Sequence, residues 1–65
     1  MKVLFNPTTD TMIITFRDAP IRESDELRPG IIADLDADGE ILRLEILDAS
    51  KRVEDPLTVT LATTS

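Results

Sequence analysis

IIADLDADGEILRLEI, residues 31 to 46, admits two folds. Asp34, Asp36, Asp38, Gly39 and Glu45 fit the EF-hand calcium pattern D-x-[DN]-x-[DN]-G-x5-E at every fixed position, and Ile41 supplies the apolar residue at the eighth loop place. The same residues also describe a β-hairpin, because Asp38-Gly39 sits between two apolar runs and Asp-Gly suits a two-residue type I′ turn. The flanks favour the hairpin. An EF-hand needs a helix on each side of its loop, and Pro29-Gly30 interrupts any incoming helix. With a two-residue loop, Leu35 faces Leu42, Ala33 faces Leu44 and Ile31 faces Ile46, so one side is continuously apolar. Asp34 then faces Arg43 on the other side, an opposite-charge pair. A three-residue loop of Ala37-Asp38-Gly39 would put Asp34 opposite Leu42 and Ala33 opposite Arg43, mixing the faces. On strands, Asp34 and Asp36 share a face, Asp38 lies in the turn, and Glu45 falls roughly 20 Å beyond it. The acidic turn is therefore expected to be a solvated hairpin loop. A weak calcium-binding module on Asp34, Asp36 and Asp38 is the alternative.

Outward from this hairpin, Val3-Leu4-Phe5 and Met12-Ile13-Ile14-Thr15-Phe16 are apolar and β-branched and predict two further strands. The turn-forming Asn6-Pro7-Thr8-Thr9-Asp10 joins them into a hairpin. Met12, Ile14 and Phe16 share one face of their strand. Residues 17 to 30 are polar, with mixed charge and Pro20, Pro29 and Gly30. They read as a connection with one helical turn over Ser24 to Leu27, capped by Ser24. Asp48 to Val53 predicts a short helix with Asp48 as N-cap and Pro56 as terminator. Leu57-Thr58-Val59-Thr60-Leu61 alternates and predicts a last strand, with Leu57, Val59 and Leu61 on one side.

The chain has 65 residues, no cysteine and a net charge of −6. These values bound a single small domain over residues 1–65 that lacks disulfide staples and relies on packing or on a partner chain. A homodimer is expected, formed through the C-terminal strand with Leu57, Val59 and Leu61, since such strands pair readily with other chains. The acidic balance argues against nucleic acid and anionic membranes and is compatible with a basic protein partner. MKVLFNP lacks the apolar run of a signal peptide, and no stretch has the length of a membrane span, so a cytoplasmic location is expected.

The chain contains no His, Cys, Tyr or Trp. The commonest general base, the usual transition-metal ligands and the Cys and Ser–His nucleophiles are thereby removed. Glu23, Asp25, Glu26, Glu54 and Asp55 supply carboxylates, but none sits in an apolar context that would raise its pKa for acid–base work. Ser50 and Lys51 are adjacent on a helix and do not face each other. Arg17, Arg22 and Arg28 fall in one connection and read as solvated charge. No catalytic residue and no cofactor is expected.

Two stretches resemble the signatures of a small bacterial family, the domain of unknown function 2283. One is Phe5-Asn6-Pro7-Thr8-Thr9-Asp10 followed by the alternating Thr11 to Ile14. The other is Asp34 to Ile41 followed by Glu45-Ile46-Leu47-Asp48-Ala49-Ser50. The resemblance spans about residues 1 to 53 and implies a compact β-rich domain with a short helix and no assigned activity. Some relatives lie beside toxin-like genes, which suggests an antitoxin-like partner role. The expected architecture is α+β, mainly β: an antiparallel sheet of four to five strands, from two hairpins and a C-terminal strand, with one short helix. The expected function is a non-enzymatic protein–protein interaction domain.

Overall fold

In the computed structural model, which describes residues 1–64, five strands form one antiparallel sheet. They are β1 (Lys2–Asn6), β2 (Thr11–Thr15), β3 (Glu23–Arg28), β4 (Ile31–Leu35) and β5 (Ile41–Ile46), in spatial order β1-β2-β5-β4-β3. One helix, α1 (Ala49–Arg52), follows. The mainly-β sheet with a small helix matches the expected fold class, but its fifth strand is a different segment. Residues 57–61 form no strand, and β3 takes the edge where a connection with a helical turn was expected. ESDELR carries no apolar alternation because all six of its residues are exposed. Unlike the opposite edge strand β1, which half-buries one face, β3 buries neither, so the pattern that marks a half-buried strand is missing.

The pairing sorts side chains into two faces. Opposed residues share a side. Phe5, Met12, Ile46 and Ile31 therefore lie across one face, beside a second row of Val3, Ile14, Leu44 and Ala33. Phe16 extends this face opposite Leu42, whose carbonyl accepts from the Phe16 amide at 2.8 Å. The other face carries Lys2, Thr15, Arg43, Asp34 and Ser24 in one row and Leu4, Ile13, Glu45, Ile32 and Glu26 in the next. The buried apolar residues are Met12, Ala33, Leu42 and Ala49, and Leu42 is the one large side chain fully withdrawn from water.

The acidic turn corrects the expected type I′ geometry. Asp38 does not have the positive φ such a turn requires, whereas Gly39 lies at φ 81°. The Asp36 amide donates to the Glu40 carbonyl at 3.0 Å and the Gly39 amide to the Asp36 carbonyl at 3.1 Å. This is a three-residue loop, Ala37-Asp38-Gly39, with glycine in the left-handed place. The feared mixing of faces does not occur. Leu35 pairs with Ile41, Asp34 pairs with Arg43, and the register shifts between them. Leu42 is the extra residue of a β-bulge, and it restores the pairing of Ala33 with Leu44 and Ile31 with Ile46.

α1 is held from a distance. Asp48 stands at the N-cap position but is left-handed (φ 52°) and makes no side-chain cap. Asp10, also left-handed, does the capping. Its carbonyl accepts from the Ala49 amide at 2.8 Å, its Oδ1 from the Ser50 amide at 3.0 Å, and its Oδ2 from the Ser50 hydroxyl at 2.7 Å. At the other end Arg52 donates to the carbonyls of Leu47 (3.0 Å) and Pro29 (2.6 Å). Its guanidinium lies over Gly30, which closes the β3–β4 hairpin behind Pro29 with φ 82°. A Cβ on Gly30 would come 2.8 Å from Arg52 Nη2.

Gly30→Ala is thus expected to cost more than Gly39→Ala. Each forces a left-handed alanine, at about 1–2 kcal/mol, but only Gly30→Ala also displaces Arg52, since nothing lies within 4 Å of a Cβ on Gly39. Thermal unfolding of the two variants checks this, and equal losses would contradict it.

Candidate functional site

The Asp-rich loop is built from the bulged β4–β5 hairpin and filled by the protein's own donors. Asp36 Oδ1 accepts from the amides of Asp38 (2.9 Å) and Glu40 (3.0 Å). Its Oδ2 accepts from Arg17 Nη2 at 2.6 Å. Asp34 points to the polar sheet face, where Oδ1 accepts from the Ser24 hydroxyl (2.5 Å) and Oδ2 from Arg43 Nε (2.5 Å). Asp34 is only 6% exposed, and no buried side-chain polar atom among the described residues lacks a partner. Asp38 is exposed in the turn. Glu45 sits mid-sheet between Ile13 and Ile32. The structure does not bring these carboxylates to a common point. Among the described residues, no group of three or more His, Cys, Asp or Glu side chains is gathered as a metal site.

Sequence reasoning anticipated the Asp34–Arg43 pair from the register. It missed Ser24, which was assigned to a helix cap and instead lies on β3 opposite Asp34. It also missed Arg17, nineteen residues from Asp36 in the chain. Arg17, Arg22 and Arg28 do not form one cluster. Arg17 is tied to Asp36, the Arg22 amide donates to the Leu35 carbonyl, and Arg28 ends β3 opposite Ile31. Ser50 is engaged with Asp10.

Both aspartates are held as anions. The Ser24 hydroxyl first, then the Arg43 hydrogen bond and charge, draw the Asp34 pKa below its ordinary 3.8, against the opposing effect of burial. The Glu40 amide, with help from Arg17 and the Asp38 amide, does the same for Asp36. Such hydrogen bonding to the charged form makes them fixed acceptors, not proton donors at neutral pH.

The apolar sheet face offers the larger feature. A groove of about 450 Å³ runs between Val3, Met12 and Ile14 below and Val53, Thr58 and Val59 above. At the opposite end of β5 the same face shows Phe16 (42% exposed) and Ile41 (40%) beside Leu35. Its margin there is acidic, since Glu23 pairs with Leu35 and Asp25 with Ala33, which puts both carboxylates on the apolar side. A second cavity of about 420 Å³ lies near the ends of β1 and β2, among Lys2, Phe16, Arg17, Ile21 and Arg43.

A five-stranded sheet with the Asn6–Asp10 turn, the Asp34–Ile41 hairpin and the helix after Ile46 covers the stretch matched by one family model, "Protein of unknown function (DUF2283)", over residues 2–50. The chain belongs to the DUF2283 family. The match ends within α1, so the tail beyond it lies outside the family model. No curated protein and no solved structure shows a significant match. No helix among the described residues is long and apolar enough to cross a membrane.

The lowered pKa values give stability a defined pH dependence. The unfolded chain binds protons at these aspartates before the folded chain does. Their stabilisation is therefore complete above the unfolded pKa of about 3.9 and fades as pH falls through the lower folded values. Asp34→Asn should lower stability at pH 7 by about 1–2 kcal/mol, a charged hydrogen bond discounted for the half-exposed Arg43. It should also flatten the loss of thermal stability between pH 5 and pH 2. An acid profile with the wild-type slope would contradict the role given to Asp34.

Proposed function

We propose that this member of DUF2283 is a cytoplasmic, non-catalytic protein–protein interaction domain that binds a basic partner, as an antitoxin-like protein would. The observation that carries this is the apolar sheet face. It spans β1, β2, β5 and β4, yet among the described residues only a four-residue helix and an irregular tail cover it. Phe16 and Ile41 remain about two-fifths exposed on it, next to Glu23 and Asp25. An apolar patch with a charged rim is the usual form of a protein-binding surface. The acidic rim and the net charge of −6 favour a partner that presents apolar side chains framed by Lys or Arg, and they speed its approach. The carboxylates also support binding over catalysis. A carboxylic acid that donates a proton at neutral pH needs a raised pKa, and the two carboxylates that are shifted here are shifted down.

A tagged chain should recover one stoichiometric basic protein from lysate of the source organism. Purified, that partner should bind more weakly as salt is raised, because screening weakens exposed charge pairs. Ile41→Lys, placed on a half-exposed side chain, should weaken binding about tenfold or more while the fold is kept. Recovery of no partner at low salt, or an Ile41→Lys protein that binds it undiminished, would count against this surface.

A further inference from the structure

The two edges of the sheet are not equivalent. β3 is a guarded edge: six exposed residues, three of them acidic, with a register shift between Glu26 and Arg28. Charge and bulges on an edge discourage pairing with another chain. β1 carries a single charge, Lys2 at its first position, and no bulge. It is five residues long, pairs with β2 in unbroken register, and its outer side has no neighbouring strand. Val3 and Phe5 project from it to the apolar face.

The chain also carries a strand-forming segment that no strand receives. Leu57-Thr58-Val59-Thr60-Leu61 alternates threonine with branched apolar residues, the composition of a β-strand. Leu57, Val59 and Leu61 are nevertheless 80%, 63% and 84% exposed. Its backbone hydrogen bonds among the described residues are local, from the Thr58 amide to the Asp55 carbonyl and from the Leu57 amide to the Asp55 side chain. Within its own chain the tail runs over the groove above Val3, Met12 and Ile14, on the sheet face and not alongside the edge.

We propose that residues 57–61 of one chain add as a sixth strand to the free edge of β1 in a second copy, giving a reciprocal tail-exchanged dimer. The lengths match, with five residues against five, about 16 Å each at 3.3 Å per residue. Leu57, Val59 and Leu61 then continue the apolar face beyond Val3 and Phe5, and the threonines continue the polar face. The segment bears no charge, so the pairing sets no like charges against each other despite the acidity of both chains. The area agrees. A 7.2 kDa folded monomer is expected to expose about 4,100 Å², whereas this chain exposes 5134 Å². The surplus of about 1,000 Å² is close to the roughly 800 Å² that each partner contributes to a stable interface. This surface is separate from the Phe16–Ile41 end of the sheet, so the two proposals stand or fall independently.

The test combines light scattering after size exclusion with NMR on a mixed dimer of labelled and unlabelled chains. The full chain should have twice the 7.2 kDa monomer mass. Intermolecular contacts should join the amides of 57–61 to those of 2–6. Removal of residues 57–65 should give a folded monomer, since the sheet spans residues 2–46, and Val59→Pro in the full chain should do the same by removing a ladder donor. A monomeric full chain, including one whose tail pairs with its own β1, would overturn the proposal. So would a dimer that survives tail removal. Binding of the basic partner by the truncated monomer would leave the interaction surface intact even if the exchange is wrong.

Discussion

The constraint from which the rest of this structure follows is a sheet with one apolar face and too little chain to cover it. The five strands and the turns that join them span residues 2–46 of a 65-residue chain, and a single short helix follows them. Burial of apolar surface is the main favourable term in folding. Among the described residues the buried apolar side chains are Met12, Ala33 and Leu42 on the sheet and Ala49 in the helix. The devices found elsewhere in the molecule all economise on that limited core. Asp10 reaches from the first turn to hold the helix N-terminus, and Arg52 fastens its other end to the β3–β4 turn. These polar ties set α1 at one end of the sheet without a large hydrophobic contact.

The acidic loop belongs to the same economy. Its aspartates resemble metal ligands in sequence, yet the Asp34 carboxylate is occupied by donors from neighbouring strands, that of Asp36 by loop amides and Arg17, and Asp38 is exposed in the turn. Ser24 on β3 and Arg43 on β5 meet at Asp34 on β4, which links three strands on the polar face. Arg17, just after β2, reaches Asp36 at the far end of β4. The Arg17–Asp36 contact ties the first hairpin to the second half of the chain, and the Arg43–Asp34 contact ties β5 to β4, both on the more polar side of the sheet.

The inner strands were legible because their residues alternate or are β-branched, and the Asp34–Arg43 pairing followed from requiring one apolar face. The loop was not legible for a specific reason. An unbroken ladder makes a three-residue loop incompatible with that pairing, and the bulge at Leu42 removes the incompatibility. Nothing in IleLeuArgLeu marks a bulge, since every residue there suits a regular strand. β3 was hidden by its position: an edge strand exposed on all sides has no periodicity to show, and only the Pro29-Gly30 turn hinted at it. Capping by Asp10 was invisible because the partners lie forty residues apart. The opposite error at Leu57–Leu61 is informative. A segment that alternates like a strand but finds no strand in its own chain is the feature that directs attention to a second one.

If the free β1 edge is completed by the tail of another copy, folding and association are linked, and stability must depend on concentration. The most direct measurement is the thermal unfolding midpoint of the full chain over a hundredfold range of protein concentration at fixed pH and salt. A midpoint that climbs steadily with concentration is the predicted result. A midpoint unchanged over that range would mean that the chain is complete as a monomer, contrary to this account.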